Sequence, residues 1–498
     1  MLRKLRSEKT AVFLFLLITF LFSFVFFTQM NPIVVFDTDD WMYIRYTRPA
    51  IPLWNDWNPC RIMPEILMHI CSNFGVYVIK PFLNDYIGAL SASFALALSS
   101  FICFYLYRLI RLLRARFTSS VFTALSVSTL FFLLHFLIFR HNPENNDYLF
   151  RSSDVACYFY YTIPALMNAG IVMYFLEKSR LSFKDYPSKI ELGILAVGLY
   201  FGVFSNMFQT GILVSFFFII LCKKLAEKRK APFREKISAV QIPLLVLFVW
   251  MVSLVFEFFG GRSNSKLTPK GFDLGGTLRE FYIVIRNELS PMFVIIAIVI
   301  IAAFAAWLIK NRKGEAAKGL GSFALLCVIC IVLTALFNVI VCAKVGKHYI
   351  QRSDVLICVF FYVFLLLSGM LCRLLNKSAV RFIMPLGLVL VFSFIMTGNR
   401  VFMESNKVNI PSDTCRKIDN YLIQQITDAE KKGQDTVKLH VPVFDTDDNW
   451  PISDYGVKHI SEALYYHHVI NSNIKVTFVP DKQLNEKFGL QSVSLTQK

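Results

Sequence analysis

Apolar residues run along this chain in long unbroken stretches, parted by short polar segments, the pattern of a chain that crosses a bilayer many times. Runs at 11–30, 87–107, 118–139, 157–176, 192–205, 208–222, 238–258, 291–309, 321–343, 355–372 and 382–398 predict transmembrane helices. At about 20 apolar residues per crossing, that makes about 11 spans. The runs at 192–205 and 208–222 are short and meet at Ser205-Asn206. They read as two short helices or as one long kinked helix. Between the first and second runs, Ile62 to Phe74 carries apolar residues at helical spacing beside Trp54 and Trp57, which predicts an amphipathic helix along the membrane interface.

Charge orients this pattern. Arg3, Lys4, Arg6 and Lys9 precede the first run. The connections with Arg108 to Arg116, Lys178 to Lys189, Lys223 to Lys236, Lys310 to Lys318 and Arg373 to Arg381 are also basic. Basic residues gather on the cytoplasmic side of membrane proteins. Every second connection shows the excess if 192–222 crosses twice, which favours two helices there. The N-terminus is then expected in the cytoplasm, and the C-terminal segment outside a plasma membrane. The first run is too long and Phe-rich for a signal-peptide core and reads as an uncleaved anchor. The net charge of +18 is thus mostly a topology signal and carries no nucleic-acid footprint.

Four outer loops are expected at 31–86, 140–156, 259–290 and 343–354. Beyond 399 the composition turns to that of a soluble unit: a helix over 413–433 with Asp413 as N-cap and Gly433 at its stop, a strand from Val437 to Phe444, a helix over 454–469 and a strand from Ile474 to Val479. The expected fold is a polytopic α-helical membrane domain, 1–398, followed by a small extracytoplasmic α/β domain, 399–498. At about 90 residues the latter is small for an independent domain and is expected to lean on the membrane part.

The candidate chemistry lies outside the spans. Asp37, Asp39, Asp40 and Trp41 follow directly on the first run. Acids this close together repel one another and lose solvation, so they point to catalysis or ligand binding over an ordinary solvated loop. A carboxylate at a membrane–water boundary can serve as general base, and of two neighbours one can stay ionised while the other is protonated or turned away. Lys344, Lys347, His348, Tyr349 and Arg352 in the fourth loop, with Arg61 in the first, are candidates for holding a phosphate; the lysines and Arg352 read equally well as lipid-headgroup contacts.

Other features have plainer readings. Asn168, Asn206, Gln209 and Asn338 are expected to bond between helices, and His135 to be packed. Cys60 and Cys71 could be bridged in an oxidising space, although the unbridged state is favoured. His467-His468 is a weak metal signal, read as solvent-exposed, and no metal site is expected. Phe36-Asp37-Thr38-Asp39-Asp40 recurs as Phe444-Asp445-Thr446-Asp447-Asp448, each with a Trp close behind, and is read as coincidence.

A first span ending in Asp39-Asp40-Trp41, an interfacial helix led by Arg61 and a late basic loop with Tyr349 together resemble the multispan glycosyltransferases of the GT-C class. The architecture is most similar to bacterial serotype-converting glucosyltransferases of the GtrII type. The resemblance implies transfer of a sugar from a polyprenyl-phosphate donor to an envelope polysaccharide or glycolipid. It puts the base at Asp40, with Asp39 as the substitute, and donor phosphate at Arg352. Lys347, His348, Tyr349, Lys344, Arg61, Asp37 and Trp41 would complete the substrate site. No cofactor is required, and a divalent cation is optional. The competing classes are a transporter or flippase of lipid-linked glycans and a scaffold of an envelope-synthesis complex.

Overall fold

A computed structural model of the chain describes residues 2–140, 145–265, 271–311, 314–375, 401–446 and 448–490. Among these, the helices Ser7–Met30, Ile62–Leu83, Tyr86–Arg116, Val155–Lys178, Met207–Glu227, Gln241–Asn264, Pro291–Asn311, Ala317–Val345 and Ser353–Leu375 are long and apolar enough to cross a membrane. The chain is a multi-pass membrane protein. The expected run at 382–398 lies outside the described residues, as do His141 to Glu144 of the second loop.

The bundle is built round two of these helices. Val155–Lys178 is 89% buried and Ser353–Leu375 is 94% buried over their apolar windows, whereas Pro291–Asn311 is only 17% buried and turns its apolar face outward. Tyr86–Arg116 packs along Ile163–Lys178 and along the first helix. Polar side chains bond across the bundle: the Asn168 amide donates to the carbonyls of Gly202 and Gln209, Gln209 donates to the Asp354 carbonyl, and Asn338 to that of Val355. In an apolar medium such bonds fix neighbouring helices against one another.

Three span expectations change in detail. The run at 118–139 forms a helix of 17 residues, Val121–Leu137. The run at 192–205 forms Lys189–Val203, 15 residues long, which at about 1.5 Å per residue falls short of a hydrocarbon core of about 30 Å. The chain does break between the two short runs, with Asn206 capping the second helix through Phe208 N–H. The Phe204 carbonyl freed by the break accepts Met63 N–H at 3.0 Å, so the first loop satisfies it. The helix expected to end at Phe74 continues through a π-helical turn to Leu83. Gly75 lets it lie against Tyr86–Arg116, since a Cβ there would stand 2.9 Å from the Ala89 carbonyl oxygen.

The C-terminal segment folds as a βαβ unit. Strand Thr436–Val441 pairs in parallel with Lys475–Pro480, Thr436 opposite Lys475, and the helix Asp454–Tyr466 crosses between them. The helix Ser412–Lys431 packs on the first strand. It starts one residue earlier than expected, with Pro411 at the N-cap and Asp413 inside the first turn. Gly433 sits at φ +68° just past its end, where a left-handed residue stops a helix.

This unit is stitched onto the end of the bundle where the first helix empties. Asn145-Asn146 pairs in parallel with Val401-Phe402, and Asn31 donates to the Met403 carbonyl. Arg416 pairs with Asp85, Arg45 with Glu462, and Tyr86 Oη bonds His467 Nδ1 at 2.8 Å. His467 is therefore buried, against the expectation of exposure; His468 is exposed. Cys60 and Cys71 are both free thiols, and Cys60 Sγ donates to the Ser253 carbonyl, a helix away from Cys71.

Candidate functional site

The acid cluster is first of all a helix start. Asp37 is the N-cap of Thr38–Tyr43 and accepts Asp39 N–H at 3.2 Å. Asp40, three residues on, reaches back to Asp37 N–H at 3.2 Å and Phe36 N–H at 3.1 Å, closing a capping box. Its other oxygen accepts Ala156 N–H at 2.7 Å, tying the first loop to the start of a central helix. Both Asp40 oxygens are thus occupied, and the side chain is wholly buried. Burial, with Asp154 and Asp37 close by, pushes its carboxyl well above the usual range in spite of the backbone N–H groups.

Asp39 is placed differently. It lies at the second helical position, between the two capping acids, and its carboxylate makes no hydrogen bond or ion pair among the described residues. Burial raises its pKa; Lys407, Arg61 and Arg262 pull it back down, while Asp154 pushes the same way as burial. Asp39 is the carboxylate of the cluster left open to a ligand.

A ring of charge surrounds it. Lys407 Nζ stands 3.4 Å from Asp37 Oδ2 and 3.6 Å from Asp154 Oδ2, with the Trp450 ring 4.5 Å away. Burial lifts the Asp37 carboxyl to about 7, with Lys407 opposing and Asp154 and Asp39 adding to it. Asp154 caps that same central helix, accepting Cys157 N–H at 2.6 Å. Burial opposes its ionisation too, but Lys407, Arg352 and that N–H outweigh it and hold its carboxyl below the usual range.

Arginines close the ring. Arg352 bonds Asp354 through Nε and Nη2 at 3.0 and 2.7 Å and stacks 4.6 Å over the Tyr161 ring, leaving Nη1 outside both bonds. Arg61 stacks 4.6 Å over the neighbouring Tyr160 ring, and its guanidinium makes no hydrogen bond or ion pair among the described residues. A stacked guanidinium keeps its donor edge available, which suits a phosphate. Arg262 Nη2 donates to Tyr349 Oη at 3.1 Å, linking the third and fourth loops.

The structure therefore brings Asp37, Asp39, Asp40, Arg61, Tyr349 and Arg352 to one end of the bundle. Four expected site residues stand apart from that ring or inside the packing. Trp41 is buried against Tyr86. Lys347 pairs with Asp273 at 3.3 Å, both half exposed, an arrangement of little energetic weight. Lys344 is exposed at the end of its helix. His348 packs on the Tyr349 ring, where burial and Arg352 lower its pKa. Sequence reasoning missed Asp154, Lys407, Arg262 and Trp450. Asp154 had a signal, a Ser-Ser-Asp N-cap before an apolar run; Lys407 had none.

Among the described residues no group of three or more His, Cys, Asp or Glu side chains is arranged to hold a metal ion. No family model and no curated protein sequence matches the chain.

Proposed function

We propose that the protein is a membrane glycosyltransferase of the GT-C kind, moving a sugar from a polyprenyl-phosphate donor to an envelope polysaccharide or glycolipid outside the plasma membrane. The reading rests on one observation above all: among the described residues the Asp39 carboxylate makes no hydrogen bond or ion pair, and it sits among cations of which Arg61 likewise makes none. An ionised carboxylate with a raised pKa is suited to take a proton from an acceptor hydroxyl, and the sequence order of the two candidate bases is thereby reversed, with Asp39 ahead of Asp40.

In this reading Asp39 accepts the proton as the acceptor oxygen bonds to the anomeric carbon. The bond from that carbon to the donor phosphate oxygen breaks, and the charge growing on the phosphate is met by Arg61 and by Nη1 of Arg352. Lys407 neutralises Asp37 and Asp154, so that Asp39 can ionise beside them.

The ionisable residues of the described spans gather at their ends, Glu65 and Glu257 beside the acid cluster and Arg108 with Glu177 at the opposite end. That layout favours chemistry at a boundary over passage through the bundle, as transport would require.

The reading is tested with the protein in proteoliposomes, a panel of radiolabelled polyprenyl-phosphate sugars and a crude envelope acceptor. Discharge of one lipid is expected. If the folded protein discharges none, while an acceptor extract from cells carrying the protein is present, the reading fails.

A further inference from the structure

A cavity lies at the end of the bundle away from the acid cluster. It has a volume of about 690 Å³ and is enclosed by the last turns of Tyr86–Arg116, Ile163–Lys178, Met207–Glu227 and Ser353–Leu375 and the first turns of Glu315–Val345. Its walls are aliphatic and aromatic, Phe175, Phe216 and Phe323 among them. Among the described residues four cations reach it, Arg116, Lys223, Lys224 and Arg373, and no acid lines it.

These cations are poorly compensated. Among the described residues Arg116 bonds neutral acceptors alone, the Leu176 carbonyl at 2.9 Å and the Ser179 hydroxyl. Lys223 meets the Ser322 hydroxyl at 3.4 Å, and Arg373 lies 5.1 Å over the Trp307 ring. Among the four, Lys224 alone forms an ion pair among the described residues, with Glu227 at 2.6 Å, and the same Glu227 also feels the charge of Lys223. Such a concentration of charge at the rim of an apolar recess between helices is held together most easily by an anion with a greasy body. A pocket of a few hundred cubic ångströms suits a headgroup and the first part of its chain.

We infer that this cavity is a binding site for an anionic, phosphate-bearing lipid, the phosphate resting among Arg116, Lys223 and Arg373 and the hydrocarbon against the phenylalanines. Basic pockets between transmembrane helices take lipid phosphates in this manner. The site is separate from the Asp39 ring and does not depend on what the ring does. Its lipid could come from the bulk membrane or from a polyprenyl phosphate, which share the recognised chemistry.

The test uses the full-length protein purified in maltoside detergent, with bound lipid counted by native mass spectrometry after titration. The probes are phosphatidylglycerol, undecaprenyl phosphate and, as the zwitterionic control, phosphatidylcholine. Retention of at least one anionic probe and little of the control is expected. Lys223→Gln with Arg373→Gln should weaken that retention at least tenfold, and Lys228→Gln, outside the cavity, should leave it unchanged. The tighter of the two anionic probes identifies the source. Should the double variant fail to fold, Lys223→Gln alone is expected to weaken retention severalfold. Equal retention by wild type and cavity variants, or equal retention of phosphatidylcholine, would overturn the inference. Sugar-donor discharge reads the other site and separates the two outcomes.

Discussion

The Trp450 indole donates its Nε1 proton to Asp37 Oδ2 at 3.0 Å, across 413 residues of chain. The same junction sets the rings of Phe36 and Phe444 6.4 Å apart and joins the Thr38 hydroxyl to the Pro451 carbonyl at 2.7 Å. The two copies of Phe-Asp-Thr-Asp-Asp, read as coincidence in the sequence, meet through their phenylalanines, and the first copy bonds the Trp450-Pro451 segment that follows the second. The approach needs a glycine: a Cβ on Gly456 would stand 2.3 Å from Thr38 Oγ1. The C-terminal unit thereby supplies Lys407 and Trp450 to the acid ring and forms part of the site.

Trp450→Phe keeps an aromatic face for Lys407 and removes the donor to Asp37. Loss of one hydrogen bond to a buried acid should weaken docking of the C-terminal unit by about 1–3 kcal/mol. Hydrogen exchange should quicken in Asp454–Tyr466, the helix that packs on Thr38–Tyr43. Unchanged exchange there would contradict the role given to this bond.

Asp419 poses a second stability question. Both its oxygens are buried without a hydrogen-bond partner, and burial, with Asp40 adding to it, raises its pKa well above the usual range. A group whose folded pKa is raised contributes stability in its protonated form. That contribution is complete below the unfolded value, about 3.9, and is lost as pH rises toward the folded value. Asp419→Asn should therefore gain on wild type as pH climbs from 4 to neutrality. Thermal melting in detergent across that range checks the sign, and a gap that narrows with rising pH would refute it.

Activity should carry its own pH signature. Asp39 must be ionised to act, so the rate should fall as pH drops through its raised pKa. Lys407 lowers the pKa of Asp39, and Lys407→Gln should move the acid limb of kcat/KM to higher pH. A limb that stays in place would separate Lys407 from the base.

Arg61→Gln removes a cation that makes no hydrogen bond or ion pair among the described residues, although its charge acts on Asp39 and on the buried Glu257. Loss of one charge-assisted bond to phosphate, about 1.5–3 kcal/mol, should raise the donor KM about tenfold or more while folding is kept. Arg352→Gln should cost stability as well, because it strands the buried Asp354 carboxylate.

Much of the fold was legible because apolar run length is a one-dimensional property: the multi-pass helical character and the helix break at Ser205-Asn206 follow from it, whereas Ile62–Leu83, read as an interfacial helix, proves long and apolar enough to cross. The βαβ order of the tail was legible from periodicity. The spacing of Asp40 from Asp37 is that of a capping box, and a capping acid and a catalytic acid are the same residue type, so the sequence does not separate the two roles. Trp41, read as part of the substrate site, is packed on Tyr86, and a ligand-stacking Trp and a packed Trp read alike in sequence. Lys407, Arg262 and Asp154 could not be assigned, since their meeting with Asp39 is made by tertiary docking of segments more than 100 residues away.

The central claim is that Asp39 does the proton transfer and Asp40 holds the loop. Donor discharge by Asp39→Asn and Asp40→Asn proteins, matched for membrane-inserted amount and compared with wild type, tests it most directly. For Asp39→Asn the account predicts normal melting and a rate lowered about 10²–10⁴-fold, the usual worth of a general base. For Asp40→Asn it predicts a lower melting temperature, with activity kept in whatever fraction stays folded. A folded, fully active Asp39→Asn protein beside an inactive but normally stable Asp40→Asn protein would contradict it.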